Sequence, residues 1–181
     1  MQPTQNKLPQ EWWTPDIRFD PEQGYVMLQL PKVALPELHY KSIDFIAKDE
    51  LHCSLLAIPK LAEYYFADAA AAAPKLYKVI KEQIEKTPIT FAGFGKTLYF
   101  CADEDVRTVV VGASLSGLDA LFSVLRQTFA ELKDAPDPAL HVTLYRYNHP
   151  FGIGIQNAAE RDKLCTIIPK TDLTDVRKVL P

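Results

Sequence analysis

Short, almost continuously apolar stretches recur along the chain and end at proline, glycine or acidic turn residues, which is the pattern of strands in a sheet. Pro31 and Pro59 directly follow the first two of these stretches. We predict strands over the following ranges: 25–30, 51–58, 89–94, 97–101, 108–112 and 140–147.

The remaining long segments have the residue composition of helices or the apolar spacing of helices. Residues 60–86 are rich in Ala, Leu, Lys and Glu, and Pro74 is expected to separate two helices or to begin the second. Apolar residues repeat at helical spacing after Ser116, and Asn157 begins a short helix that ends at Cys165. A last helix is expected over 172–180. This order of elements predicts an α+β fold with strong antiparallel character.

The first 23 residues differ from the rest in carrying four prolines, at positions 3, 9, 15 and 21. They predict an irregular N-terminal arm, residues 1–23, whose Trp12 and Trp13 pack back on the body. Residues 24–181 then form one domain, because no linker interrupts them and this length can bury a core.

One five-residue motif occurs twice, as Leu51–Leu55 (LHCSL) and as Leu140–Leu144 (LHVTL). Side chains alternate along a strand, so each histidine lies on the same face as the hydroxyl residue two positions later. Four side chains are singled out in this way: His52, Ser54, His141 and Thr143. The alternative is that each histidine is a satisfied strand residue and each hydroxyl a cross-strand partner.

The four side chains suit acid and base catalysis on a phosphodiester. One imidazole can take a proton while the other donates one, and the hydroxyls can donate to the non-bridging oxygens. A metal site is disfavoured because each motif supplies one good ligand and no carboxylate or thiol completes a shell. Cys53 is expected on the opposite face. The segment 93–97 (GFGKT) lacks the spacing of a phosphate-binding P-loop and is interpreted as a hairpin turn.

Composition restricts partners and location. The formal net charge is −3, with basic and acidic residues balanced, so we expect no binding to long duplex nucleic acid. The three cysteines form no CxxC pair, and their odd number argues against a disulfide framework. With no secretory signal and no stretch long enough to cross a bilayer, a soluble cytoplasmic protein without membrane partners is expected.

The paired motifs, LHCSL and LHVTLYR, resemble those of the two-histidine (2H) phosphoesterase superfamily, particularly its RNA 2′,3′-cyclic phosphodiesterases, often labelled 2′-5′ RNA ligases. The resemblance extends over about residues 25–156 and is sharp at the motifs. It implies a bilobal, pseudo-twofold fold in which two mainly antiparallel sheets line a central cleft and helices lie outside. The first motif departs from the family pattern, because it continues into Ala57-Ile58-Pro59.

The resemblance implies that His52 and His141 are catalytic, that Ser54 and Thr143 contact phosphate, and that Arg146 does so too. Strict alternation would place Arg146 on the other face from Thr143, unless the strand twists or bulges, and would place Tyr145 with the histidine. Tyr145 is therefore expected as a substrate contact.

The expected enzyme is a monomer that hydrolyses 2′,3′-cyclic phosphates of nucleotides or short RNA ends without metal or cofactor. Two alternatives stay open. One is an enzyme that acts on 2′-5′ or 3′-5′ linkages at RNA termini, and the other is a non-catalytic module that binds a nucleotide or RNA end.

Overall fold

The computed structural model describes residues 10–181, and their fold is α+β, as the order of elements predicts. The strands are β1 (Glu11–Trp12), β2 (Ile17–Asp20), β3 (Tyr25–Gln29), β4 (Leu38–Tyr40), β5 (Ile43–Ala47), β6 (His52–Ala57), β7 (Thr90–Asp103), β8 (Val106–Ser116), β9 (His141–Tyr147) and β10 (Cys165–Ile167). The helices are α1 (Ile58–Tyr65), α2 (Ala69–Lys86), α3 (Leu118–Thr128), α4 (Ala158–Leu164) and α5 (Thr174–Val179), and a 3-10 turn covers Ala130–Leu132.

The ten strands form one hydrogen-bonded sheet in the order β1-β2-β3-β6-β9-β8-β7-β10. Strand β5 pairs with the end of β9 and carries β4 with it. Every pairing is antiparallel. The two strands that carry the repeated motif, β6 and β9, are therefore direct neighbours in the middle of the sheet.

The first three helices supply apolar side chains to the main core, which also contains the inward residues of β6 and β9. In α2 the buried positions Leu76, Ile80 and Ile84 follow a four-residue spacing, so one stripe of the helix faces the sheet. Asp68 caps this helix through the amide of Ala71. Within residues 10–181, no helix combines the length and apolarity needed to span a bilayer.

The predicted division of residues 60–86 is right in number but wrong in position. Helix α1 ends at Tyr65, and Pro74 lies inside α2 rather than at its start. Pro74 is the sixth residue of α2, so it removes the amide that would donate to the carbonyl oxygen of Ala70, and the helix continues past it without that bond.

Part of the predicted arm is regular structure. Residues 11–20 form β1 and β2, which extend the edge of the sheet through pairing with β3. Trp13 is buried and stacks on Phe19 with ring centroids 5.4 Å apart, whereas Trp12 is half exposed. The expected packing of the tryptophans thus holds for Trp13, and residues 1–9 lie outside the described part of the chain.

The segment 93–97 is not a hairpin turn, because it lies inside β7 as a bulge. The hairpin turns instead at Glu104, which has φ 46°, between the long strands β7 and β8. Two glycines close together in sequence predict a turn, but the neighbouring strand continues to pair on both sides of them.

The expectation that the cysteines form no disulfide is wrong for two of the three. Cys101 of β7 and Cys165 of β10 form a disulfide, and only Cys53 is free. The two residues are direct partners in the β7–β10 register. Their spacing along the chain contains no sign of this, because the pairing depends on β10 returning to the edge of the sheet.

Candidate active site

The residues at the centres of the two motifs pair with each other across β6 and β9. Cys53 lies opposite Val142, and both are fully buried in the core. In an antiparallel pair this register places His52 opposite Thr143 and Ser54 opposite His141. All four side chains project from the other face of the sheet, related by a local twofold axis through the central pair.

A surface cleft contains all four motif side chains. Its walls are the first residues of β3, β6 and β9 and the loop that follows β9. The residues that line it are Gln23, Tyr25, Met27, Lys48, His52, Ser54, His141, Thr143, Phe151, Gly152, Ile153, Gly154, Ile155 and Gln156. The structure thus brings together the four residues that the repeated motif singles out.

A bulge in β9 decides where the two residues after the second motif point. Thr143 pairs with Val110 and Tyr145 with Val109, so Leu144 is the extra residue. The alternation of faces therefore shifts by one, and Arg146 returns to the cleft face of the sheet while Tyr145 turns to the core. Arg146 nevertheless lies farther along β9 than the lining residues, and its buried Nε has no hydrogen-bond partner in the described part of the chain.

The expectation that Tyr145 contacts substrate is not met. Its ring is fully buried, and its hydroxyl donates to the carbonyl oxygen of Pro36 at 2.8 Å. Burial also raises the pKa of this phenol to about 12. Tyr145 is a core residue because the bulge at Leu144 reverses the face on which the unbulged strand would have placed it.

His141 is oriented by the backbone. Its Nδ1 lies 2.9 Å from the carbonyl oxygen of Ala139, so this nitrogen carries the proton and donates it. Burial lowers the pKa of His141, and hydrogen bonds with the backbone of Ala139 and Ile153 oppose that shift. Burial therefore favours the uncharged imidazole, and the hydrogen bond to Ala139 favours the tautomer protonated at Nδ1.

His52 is more strongly perturbed. Its pKa is lowered to about 4, first by burial, then by the positive charges of Lys48 and Arg18, and last by His141 when that imidazole is protonated. Its Nδ1 is buried and has no hydrogen-bond partner within residues 10–181. A buried ring nitrogen without a partner, in a cleft with a second histidine, is a candidate for proton transfer.

The cleft favours anions. Lys48 lines it, and Arg18 on the neighbouring strand β2 acts electrostatically on His52. Arg18 donates to Gln10 at 2.7 Å and lies 3.6 Å from the carboxylate of Glu50. Among the described residues that line the cleft none is acidic. A bound phosphate would therefore meet positive potential and hydroxyl donors together.

The loop 151–156 covers the cleft closely. A Cβ atom on Gly152 would lie 2.4 Å from the Oγ1 of Thr143, so glycine is required for the approach. Ile153 and Ile155 anchor the loop in a small apolar cluster that includes the Cys101–Cys165 disulfide. The disulfide therefore lies beneath one wall of the cleft.

Sequence reasoning missed Lys48, Arg18 and Tyr25 as neighbours of the histidines. Nothing in their local sequence marks them, because they come near the histidines only through the pairing of β3 with β6, of β5 with β9, and of β2 with β3. The loop was detectable in principle. Gly152 and Gly154 form a Gly-x-Gly pair that follows the second motif, a common sign of close backbone approach.

Metal ligands are few at this site. Within residues 10–181, no group of three or more His, Cys, Asp or Glu side chains is arranged to hold a metal ion. The cleft itself is lined by two histidines and by the hydroxyl residues Ser54, Thr143 and Tyr25.

No protein-family model, curated protein or solved structure matches this chain. The resemblance to the 2H phosphoesterases therefore rests on the motifs and the cleft, and what it implies about function is a proposal.

Proposed function

We propose that this protein is a metal-independent phosphodiesterase of the 2H type that hydrolyses 2′,3′-cyclic phosphates of nucleotides or RNA ends. One observation carries the proposal: two histidines and two hydroxyl residues lie on one face of adjacent strands, related by a local twofold axis. Paired acid, base and hydroxyl donors are what the hydrolysis of a phosphodiester requires.

The reaction follows from the positions of these groups. A neutral imidazole of the pair removes a proton from water, whose oxygen attacks phosphorus. The other imidazole, protonated, donates to the ribose oxygen as its bond to phosphorus breaks. Ser54 and Thr143 donate to the non-bridging oxygens, where charge grows in the transition state.

One imidazole must gain a proton before it can act as the acid, since the pKa values of both histidines are lowered in the free protein. The substrate supplies the reason for that gain. Its negative charge offsets Lys48 and Arg18, so binding raises the pKa of both imidazoles. The acid is thus charged mainly in the complex, beside the oxygen that it protonates.

A second cavity suits the nucleoside. It shares Tyr25, Ser54, Ile155 and Gln156 with the cleft and encloses about 820 Å³, open solvent at its mouth included. Its wall holds several rings, those of Tyr25, Tyr64, Tyr65 and Phe122. Aromatic side chains with a few polar groups among them are the usual setting for a planar base.

The finer architecture and location belong to the same proposal. We place strands β1, β2, β3 and β6 in one lobe and β7 to β10 in the other, related by the axis between β6 and β9. A monomeric enzyme in the cytoplasm stays a prediction, although the Cys101–Cys165 disulfide is more typical of oxidising compartments.

The test is hydrolysis of a nucleoside 2′,3′-cyclic phosphate in excess chelator. We expect turnover without added metal, and losses of at least about 100-fold in His52→Ala and in His141→Ala. The control is His39→Ala, because His39 lies on β4 and contacts Asp44 at 2.6 Å, away from the cleft. Circular dichroism checks that each variant is folded.

Other results would select an alternative. Turnover that needs a metal ion contradicts the two-histidine mechanism. Cleavage of 2′-5′ or 3′-5′ linked dinucleotides without action on the cyclic phosphate indicates the linkage-specific enzyme. Nucleotide binding without turnover of any of these compounds indicates a binding module.

A further inference from the structure

Strand β7 leaves the sheet for three residues close to the cleft. Phe94 pairs with Ala113 and Leu98 with Val111, so Gly95, Lys96 and Thr97 together face only Gly112. The carbonyl oxygen of Lys96 accepts a hydrogen bond from Arg177 Nη1 at 2.9 Å, which helps hold the bulged backbone. Bulges of this kind are common beside active sites.

The bulge opens a pocket next to His141. Gly112 pairs directly with His141, and a Cβ atom added to Gly112 would meet no atom of residues 10–181 within 4 Å. Glycine in a strand therefore leaves open space here rather than serving a tight contact. His141 and Ile155 line both this pocket and the cleft, so the two spaces adjoin.

The pocket is basic. Lys96 and Arg161 line it together with Thr97 and Tyr99, and among the described residues that line it none is acidic. The guanidinium of Arg161 lies 5.3 Å from the centre of the Tyr99 ring, which orients it. Arg161 also forms an ion pair with Asp162 at 2.9 Å. The Asp162 carboxylate is largely exposed to solvent, so this pair competes only weakly with a bound phosphate.

Resting on the proposed function, we infer that this pocket binds a second phosphate of the same substrate. The neighbouring phosphate at a 3′ RNA end that carries a 2′,3′-cyclic phosphate is on the 5′ oxygen of the same ribose. With the cyclic phosphate between the histidines, the 5′-phosphate lies against Lys96 and Arg161. The preferred substrate class is thus a 5′-phosphorylated terminal nucleotide, and a free nucleoside 2′,3′-cyclic phosphate is the poorer substrate.

Two substrates that differ by one phosphate test this inference. We expect that a 5′-phosphate on a nucleoside 2′,3′-cyclic phosphate raises kcat/KM about tenfold or more, because a charge-assisted hydrogen bond is added. In the double variant Lys96→Gln/Arg161→Gln the ratio between the two substrates falls to about one. Lys75→Gln, on the exposed side of α2, keeps the ratio of the unmodified protein.

Calorimetry separates the failure of this inference from the failure of the proposed reaction. A nucleoside 3′,5′-bisphosphate is expected to bind at least about tenfold more tightly than the 3′-monophosphate, and the double variant removes the difference. This holds whether or not hydrolysis is observed. Equal affinities and equal kcat/KM values for the two members of each pair would overturn the second subsite. A double variant that weakens both members equally would also overturn it, because the pocket would then hold the reacting phosphate.

Discussion

Gly152 approaches Thr143 so closely that a Cβ atom at position 152 would lie 2.4 Å from the Thr143 Oγ1. We expect Gly152→Ala to displace either the loop or the hydroxyl and to lower kcat/KM about 100-fold, as small misplacements in a site can do. The matched variant is Gly154→Ala, whose nearest contact would be the flexible end of Lys60 at 3.3 Å. Steady-state kinetics should show a clearly smaller loss there, and equal losses would contradict the steric argument.

The pH dependence of the reaction should reflect the two depressed histidines. The singly protonated pair is most abundant between their pKa values, and both lie below the ordinary value of 6.5. The optimum of kcat/KM is therefore expected below pH 6.5, and that of kcat at a higher pH, because bound phosphate raises both pKa values. A kcat/KM optimum above pH 7 would be inconsistent with these shifts.

Lys48 offers a separate check on the electrostatics. Its positive charge is one cause of the low pKa of His52, after burial. Lys48→Gln should therefore move the acidic limb of the kcat/KM profile to higher pH, beyond any loss of affinity for phosphate. If the acidic limb does not move and only KM rises, Lys48 contributes to substrate binding and not to the low pKa of His52.

Stability should fall in acid because of His52. Its pKa is about 4 in the folded protein and near 6.5 when unfolded, so the unfolded chain binds more protons between these values. The free energy of unfolding is then expected to decrease from pH 6.5 towards pH 4, by at most about 3 kcal/mol from this group. Urea titrations of His52→Gln should show a flatter pH dependence; a slope unchanged by this substitution would refute the assignment.

The disulfide is expected to stabilise both the fold and the cleft wall. It closes a segment with a sequence separation of 64, for which the chain-entropy model gives about 4 kcal/mol. Cys101→Ser/Cys165→Ser should lower the free energy of unfolding by a comparable amount. It should also reduce kcat/KM, because Ile153 and Ile155 pack against the bridge. The free Cys53 provides the control as Cys53→Ala, which leaves the bridge intact.

Tyr145 and Ser54 should separate stability from activity. Tyr145→Phe removes the hydrogen bond to Pro36 and should cost about 1–3 kcal/mol of unfolding free energy, with kcat/KM nearly unchanged.

Ser54→Ala should leave stability almost unaltered and reduce kcat about 100-fold, the usual effect of losing one transition-state donor. Chemical denaturation and steady-state kinetics on the same samples distinguish these patterns, and a large kinetic loss in Tyr145→Phe would reinstate Tyr145 as a substrate contact.

The sequence alone determined several central strands and helices and the residues of the candidate site. Apolar runs ending at Pro31 and Pro59 indicated β3 and β6, and a period of two placed His52 and Ser54 on one face and Cys53 on the other. These are local properties of the chain, set by the geometry of a strand. The α+β class followed from the order of such elements.

Only the tertiary structure decided which residues meet across strands. The pairing of Cys53 with Val142 brings the two motifs together, the bulge at Leu144 exchanges the faces of Tyr145 and Arg146, and the return of β10 joins Cys101 to Cys165. Each depends on register between segments that are distant in the chain. Register is set by the burial of whole faces of the sheet, and a shift of one residue reverses every side chain beyond it, so no local pattern contains it.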